Sequence, residues 1–421
     1  MPDRARTFRS LRSRNYRLYF VGQLFSLTGT WVQTVAQGWL VLRLTDDSGF
    51  ALGLVTALQF VPLLLAGPWG GVVADRFDKR SVLMATQSAM AAVAGALAVL
   101  TVAGVVELWM VYLAALLTGA ATAVDSPTRQ AFVVEMVGPS DLPNAIGLNS
   151  ALFNAARVLG PAVAAIVIRL ADVGPCFAIN ALSFLAVLAG LWRMRSEELV
   201  RQPHLASAKG QVRAGLAYVW GTPVLRSTLL LVAVVGTLGL NSTVVLPLLA
   251  KVSFRGDAGT YALLTSSMGL GSLAGALVTA GHSRPSRRLL VGACLAFGAL
   301  LAASAAAPGL ALAVPLLALT GAAGITFMTT ANSTLQLASD AAMRGRVMAL
   351  YLLVFLGSTP IGGPLVGLVS EYLGPRFGLG LGGVACVLVA LRAATRDGGD
   401  PGEERRLRDA GLVSPTEPAA A

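Results

Sequence analysis

The sequence predicts an all-α membrane protein with twelve transmembrane helices in two pseudo-symmetric six-helix bundles. Three observations support this fold class. Of the 421 residues, 55% are hydrophobic and only 13% are charged. Twelve apolar runs are long enough to cross a bilayer, and the basic residues between them fall mainly on one side. Soluble domains carry roughly 25% charged residues, so a water-soluble globule of this composition could not cover its own surface.

Cysteine and histidine usage excludes two other classes. The three cysteines (Cys176, Cys294 and Cys386) all lie inside apolar runs, which argues against a secreted disulfide scaffold. Two histidines, His204 and His282, cannot form a metal site by themselves. We therefore expect no metal and no bound cofactor.

The apolar runs define the spans, since a transmembrane helix needs about 20 apolar residues. No run alternates in polarity, as a membrane β-strand would. In chain order, spans 1 to 12 are predicted at residues 17–42, 49–74, 81–104, 107–127, 143–170, 175–194, 224–250, 258–281, 288–307, 309–331, 346–370 and 375–394.

Basic residues set the orientation. With the N-terminus in the cytoplasm, 26 of the 32 Lys and Arg residues lie in cytoplasmic segments and five on the outer side. The five are Arg43, Arg169, Lys251, Arg255 and Arg376. This bias predicts that both termini are cytoplasmic. It also accounts for the net charge of +11 without a nucleic-acid partner.

Polar stretches divide the chain. We predict an N-terminal bundle at 1–194, a cytoplasmic central loop at 195–223, a C-terminal bundle at 224–394 and a disordered tail at 395–421. Within the loop, Val212, Leu216 and Val219 recur at helical spacing, which indicates a short amphipathic helix.

A faint internal repeat relates the two bundles. Gly119-Ala-Ala in span 4 matches Gly321-Ala-Ala in span 10, and Gly160-Pro161 in span 5 matches Gly363-Pro364 in span 11. The offsets of 202 and 203 residues favour two related halves. Parallel halves with a site between them are typical of transporters.

The loop between spans 2 and 3 carries the motif Gly71-Val-Val-Ala-Asp75-Arg76-Phe-Asp-Lys79-Arg80. It resembles the GxxxDRxxRR signature of the major facilitator superfamily, with one arginine replaced by lysine. The partial positive charge at the N-terminus of span 11 would attract Asp75, and Arg76 and Arg80 could bind a carboxylate such as Asp125. We therefore predict a cytoplasmic latch that also includes Arg129 and Arg346. The alternative is a basic turn with an incidental aspartate.

Further segments resemble the siderophore-exporter and macrolide-efflux branch of the superfamily. They are Gly29–Gln33, Gln37–Val41, Asp125–Phe132, Asn149–Pro161 and Arg344–Tyr351. This resemblance implies the superfamily fold and favours export. It leaves the cargo open among siderophores, macrolides and other metabolites.

Polar stripes mark the helices that line the cavity in the superfamily. In span 1, Gln23, Ser26, Thr30, Gln33 and Gln37 recur every three or four residues and so share one face. Such a face either lines a wet cavity or packs on partner helices; we favour the cavity. Thr30, Gln33 and Gln37, with Asn241 in span 7, are therefore candidate substrate contacts.

Arg157 is the one basic residue placed near the middle of a span, too deep to reach either surface easily. A charge at the bilayer centre costs at least about 2.5–3.5 kcal/mol, and the planar guanidinium can bind a carboxylate or phosphate at two points. With Asn154 and Trp31, Arg157 is our leading candidate for a substrate or coupling contact. The alternative is a hydrogen-bond post to Asn154 or to the span 1 glutamines.

The combined prediction is a proton-coupled exporter of a small organic molecule, monomeric and located in a bacterial inner membrane. Asp125, the acidic residue placed within a span, either titrates or belongs to the latch, and we favour the latch. The sequence contains no Walker-type GxxxxGK[ST] motif, so ATP is not the direct energy source, and no catalytic constellation points to an enzyme. The alternatives are an importer, a uniporter or a non-transporting sensor.

Overall fold

The computed structural model describes residues 8–200, 211–280, 285–340 and 343–396. All regular secondary structure in these ranges is helical. The long helices of the first half are α1 (Arg14–Leu44), α2 (Gly49–Arg76), α3 (Lys79–Val102), α4 (Leu108–Ala171) and α5 (Gly174–Trp192). The later helices are α6 (Gln211–Gly221), α7 (Pro223–Val234), α8 (Ser242–Leu248), α9 (Ala258–Ala280), α10 (Arg287–Ala306), α11 (Leu310–Leu337), α12 (Arg344–Leu373) and α13 (Pro375–Arg396).

Side-chain caps begin the first three helices where the polarity of the sequence changes. The hydroxyls of Ser13 and Ser48 accept the backbone N–H of Tyr16 and Ala51, and the carboxylate of Asp78 accepts that of Ser81. These bonds satisfy N–H groups that have no partner inside the helix. The predicted starts of spans 1 to 3 agree with these caps to within four residues.

Helix α4 is two helices joined at Gly138. Gly138 has φ 73° and ψ 170°, a conformation that costs glycine little, and a proline follows it. We call residues 108–137 the first arm and 139–171 the second arm. Predicted span 4 ends at residue 127, and the helix continues through Pro127 for another ten residues. The connection between predicted spans 4 and 5 is therefore mostly helical.

Ten helical stretches in the described part of the chain are long and apolar enough to cross a membrane, and α4 counts as one of them. Helix α1 has 31 residues but is not in this set, in keeping with the polar stripe of Gln23, Ser26, Thr30, Gln33 and Gln37 that it carries. The described part of the chain is thus a bundle of membrane-type helices.

The seventh predicted span is interrupted. It consists of α7, a π-helical turn at Val235–Gly239, a non-helical Leu240, α8 and a second π-helical turn at Leu249–Ser253. Isolated π-helical turns occur frequently at functional sites. The predicted helix in the central loop is confirmed as α6, in which Val219 is fully buried.

The chain divides into two compact units. Unit 1 comprises Met1–Ser207, Thr243–Ser266 and Gly363–Tyr372. In it, α1 packs against α5 and α4, α2 against α4, and α3 against α5. Unit 2 comprises Ala208–Ser242, Ser267–Gly362 and Leu373–Ala421. In it, α10 packs against α11 and α13.

Close glycine crossings occur in both units, and one in each involves a glycine of the sequence repeat. A Cβ on Gly119 of α4 would overlap the backbone of Gln59 in α2, and one on Gly321 of α11 would overlap that of Met268 in α9. Small residues at such crossings let two backbones approach closely in a bilayer. Gly119 and Gly321 are the pair that the sequence repeat relates.

Candidate functional site

Arg157 lies beside two aromatic rings in unit 1. Its guanidinium carbon is 5.8 Å from the centroid of the Trp31 ring. Trp31 in turn meets Phe153 edge to face, with the centroids 6.0 Å apart. A cation over the face of an indole is attracted by the negative charge on that face. Two of the residues proposed from the sequence as substrate contacts, Arg157 and Trp31, thus lie beside each other.

Close helix packing supports the Trp31 and Phe153 rings, which we call the aromatic wall. A Cβ on Gly160 would overlap the Cβ of Trp31, so α1 and the second arm of α4 meet almost backbone to backbone. On the same arm, the carbonyl of Val158 accepts the hydroxyl of Ser266 from α9 at 3.1 Å. Trp31 and Arg157 therefore stand on two helices in fixed contact.

Polar residues continue from Arg157 along one side of the second arm. Ser150, Asn154 and Arg157 are three or four residues apart and share that side. The Asn154 amide donates to the carbonyl of Ser150 at 2.8 Å. Phe153 is 47% exposed, and Thr30, next to Trp31, is also exposed.

The remaining polar residues of the α1 stripe are buried in helix packing. Gln33 accepts the amide of Asn180 in α5 at 2.7 Å, and Gln23 accepts Arg129 at 3.0 Å. Ser26 and Gln37 are buried as well. For Gln23 and Gln33 the structure supports packing on partner helices rather than the cavity that we favoured, because their hydrogen bonds are made to neighbouring helices.

Asp125 is the centre of a buried network in unit 1. It is fully buried and pairs with Arg129 at 2.5 Å. Its other oxygen accepts Thr86 at 2.9 Å and Gln87 at 2.8 Å. Since Arg129 also reaches Gln23 on α1, the network ties together α1, α3 and α4. The carboxylate is thus bound by Arg129, one of the latch residues suggested from the sequence, and by Thr86 and Gln87 of α3.

The basic end of the predicted latch is also engaged inside unit 1. Lys79 pairs with Glu135 at 2.7 Å, and both side chains are largely buried. Arg80 donates to the carbonyl of Trp192 and to Ser196. Sequence reasoning missed Glu135, because it lies in the part of α4 that we had taken for a loop.

The other predicted latch residues are differently placed. Asp75 and Arg76 are exposed, and Gly71 is half-buried. In unit 2, Arg346 lies against the central-loop helix α6, where a Cβ on Gly215 would stand 3.0 Å from the Arg346 Cβ. The structure thus brings Lys79, Arg80, Asp125 and Arg129 into bonds within unit 1.

A second polar cluster of unit 1 lies at the end of the helices that the sequence predicts to face outward. Glu371 accepts the Ser48 hydroxyl at 2.6 Å and the Phe50 N–H at 2.9 Å, and so caps the start of α2. Asp47 pairs with Lys251 at 2.5 Å. Lys251 also lies 5.8 Å from the ring centroid of Trp39, so Trp39 is packed there. None of these partnerships was predicted.

Two glycine pairs continue the same contact along α2. Gly49 meets Gly367, and Gly53 meets Gly363, so closely that a Cβ on Gly49, Gly53 or Gly367 would overlap the backbone of its partner, while one on Gly363 would stand 3.0 Å from the Gly53 carbonyl oxygen. The side-chain bonds of Glu371 and these backbone contacts together form what we call the α2 crossing.

Asn241, the predicted substrate contact of span 7, belongs to unit 2. It is 4% exposed and follows the non-helical Leu240 at the interruption. Its amide donates to the Thr237 carbonyl at 2.7 Å, while its side-chain oxygen is buried without a hydrogen-bond partner among the described residues. Such interruptions in membrane helices often lie at binding sites.

The fold agrees with the comparisons to known proteins. The family model described as transmembrane secretion effector matches residues 5–397. The chain belongs to this family. It is a family of major facilitator superfamily transporters, so this is a multi-pass membrane protein and not an enzyme.

Individual relatives are distant. The staphyloferrin A transporter of Staphylococcus aureus is 27% identical over 267 residues, which are 62% of this chain and 66% of that protein. The chain thus spans just under two thirds of that relative. The multidrug efflux pump Tap of Mycolicibacterium fortuitum is 26% identical over 82% of this chain and 87% of its own.

The fold is similar to that of solved transporters. A crystal structure of the peptide transporter POT superposes with a TM-score of 0.75 at 13% identity, covering 94% of this chain and 96% of its own. At that identity the likeness shows the fold alone. No cluster of His, Cys, Asp and Glu among the described residues could hold a metal ion; His204, His282 and nearly all of the predicted tail lie outside those residues.

Proposed function

We propose that this chain is a secondary active transporter that exports a small organic molecule in exchange for protons. The observation that carries the proposal is Arg157, held over Trp31 in the second arm of α4. A charge costs free energy at that depth and is retained where it serves a pathway. The efflux proteins among the relatives favour the outward direction.

Alternating access is the mechanism that we propose, with twelve spans, both termini in the cytoplasm and a monomeric protein. The α2 crossing supports it, because contacts at the predicted outer end would have to open for cargo to leave there. On the cytoplasmic side, we propose Gly71, Asp75, Arg76 and Arg346 as the remaining residues of the latch.

The two bundles, 1–194 and 224–394, would rock about the cavity. We propose Thr30 as a lining residue, with the buried Gln37 and Asn241 becoming accessible as the bundles move. Proton exchange has no assigned carrier, since the bonds of Asp125 within unit 1 favour a structural role for that residue.

Transport in proteoliposomes tests this function. Purified protein is reconstituted with its cytoplasmic face outward, the lumen is made acidic, and erythromycin, ethidium and 2-naphthoate are supplied outside. An exporter driven by protons accumulates at least one probe in the lumen and loses it when an ionophore collapses the gradient.

The other outcomes refute particular parts of the proposal. Equilibration of a probe across the bilayer that does not depend on the pH gradient indicates a uniporter. Exit of a preloaded probe from the lumen together with protons indicates an importer. If no probe moves, although the same protein binds a probe, the fold is being used as a sensor.

A further inference from the structure

We infer that Arg157, Trp31 and Phe153 form a subsite for a cargo that carries one carboxylate on a planar apolar ring. This inference rests on the proposed transport function and adds the chemical class of the cargo. It concerns the geometry of these three side chains, which determines what they can bind.

The shape of the arginine side chain favours a planar anion. The guanidinium carbon of Arg157 lies 5.8 Å from the Trp31 ring centroid, and the N–H donors of a guanidinium lie in its own plane. Those in-plane donors are spaced to receive both oxygens of a carboxylate. A cationic cargo would be repelled at this position.

Depth in the membrane favours a single negative charge. Arg157 lies about 20 Å from either end of predicted span 143–170, at 1.5 Å per residue. One guanidinium neutralises one carboxylate, and the resulting neutral pair is cheaper to hold away from water than an ion with two charges. A phosphate monoester carries ≈ −1.5 to −2 charge at pH 7 and would leave charge uncompensated.

The neighbouring ring accounts for the apolar part of the cargo. Phe153 is one helical turn before Arg157 and so beside it on the same arm. It meets Trp31 by an edge and is 47% exposed, which makes its ring available for stacking. Thr30 and Asn154 add polar groups around this surface.

The rigidity of the wall makes it a preformed site. Because a Cβ on Gly160 would overlap the Cβ of Trp31, the contact between the two helices fixes the position from which the Trp31 side chain extends towards Arg157. A preformed site avoids part of the ordering cost of binding.

Binding of matched ring compounds to the full-length protein in nanodiscs tests the inference. The probes are 2-naphthoate, 2-naphthamide and 2-naphthyl phosphate, measured by isothermal titration calorimetry. We expect the naphthoate to bind at least tenfold more tightly than the amide or the phosphate. Arg157→Gln should weaken naphthoate binding at least tenfold, and Arg157→Lys, which keeps the charge but loses the planar fork, should fall between.

Controls separate a binding defect from misfolding. Arg43→Gln removes an arginine from an exposed ion pair with Asp172 and should leave binding unchanged. Phe153→Leu keeps the arginine and should weaken naphthoate binding less than Arg157→Gln does. Each variant must elute as a single species with an unchanged melting temperature; if Arg157→Gln does not, Arg157→Lys and Phe153→Leu still decide.

The inference is overturned if the amide or the phosphate binds as tightly as the naphthoate, or if folded Arg157 variants bind naphthoate as the wild type does. Failure of transport is a separate result. Naphthoate that binds through Arg157 but does not move in proteoliposomes would refute transport and keep the subsite. Transport of erythromycin by a protein that does not bind naphthoate would refute the subsite and keep the transport function.

Discussion

Replacing Asp125 with alanine should destabilise the protein by about 3–5 kcal/mol, the typical cost of removing one partner from a buried ion pair. The structure explains the size of the effect. The carboxylate is fully buried and accepts Arg129, Thr86 and Gln87, so its loss leaves three donors on two helices without their acceptor.

A double-mutant cycle measures the coupling. Asp125→Ala, Arg129→Met and the double variant are unfolded with sodium dodecyl sulfate from mixed micelles, and helix content is followed by circular dichroism. The double variant should be more stable than the sum of the single effects predicts, by about 0.5–3 kcal/mol, because the uncompensated charge is gone. Glu198→Ala, in an exposed pair with Arg195, is the control and should cost under about 1 kcal/mol.

Two results would refute the structural role of this network. A cost below about 1 kcal/mol for Asp125→Ala would show that the buried pair does not stabilise unit 1. Loss of proton-driven transport in a fully stable Asp125→Asn protein would make Asp125 a proton carrier.

Two further predictions concern helix contacts. Glu371→Gln removes the negative charge from the start of α2, where a helix N-terminus favours an anion by about 0.3–1 kcal/mol; spin labels at positions 46 and 372 should show a larger share of long distances. Gly160→Ala should displace Trp31, lower the melting temperature and weaken naphthoate binding at least severalfold, as calorimetry would show.

Each has a matched control. Asp257→Asn alters a carboxylate that caps only its own helix, where the Thr260 N–H bond holds the pKa of Asp257 below its usual value; the spin-label distances should not change. Gly147→Ala lies on the same arm as Gly160, but its Cβ would meet nothing within 4 Å, so binding should persist. Equal effects from target and control would contradict the assigned contacts.

Local features of the sequence predicted the helices well, because each span is an apolar run whose burial in lipid does not depend on its partners. The partners themselves were not predictable in this way. Lys79 and Glu135 are 56 residues apart, and Ser48 and Glu371 are 323 apart, so only the packed structure brings them together. The polar stripe of α1 shows the same limit. Its spacing puts Gln33 and Thr30 on one face, but it does not show that Asn180 covers Gln33 while Thr30 stays exposed.

The glycine pairs in the α2 crossing have a consequence for the speed at which this crossing would open in the proposed transport mechanism. Glycine has no side-chain rotamers to lose on burial, so a contact made of Gly49, Gly53, Gly363 and Gly367 freezes none when it forms and releases none when it breaks. The two surfaces are smooth and can meet again in register without waiting for rotamers to rearrange. The switching energy is then concentrated in a few discrete bonds, those of Glu371 and the Asp47–Lys251 pair, and single substitutions there should tune the open fraction gradually rather than abolish closure.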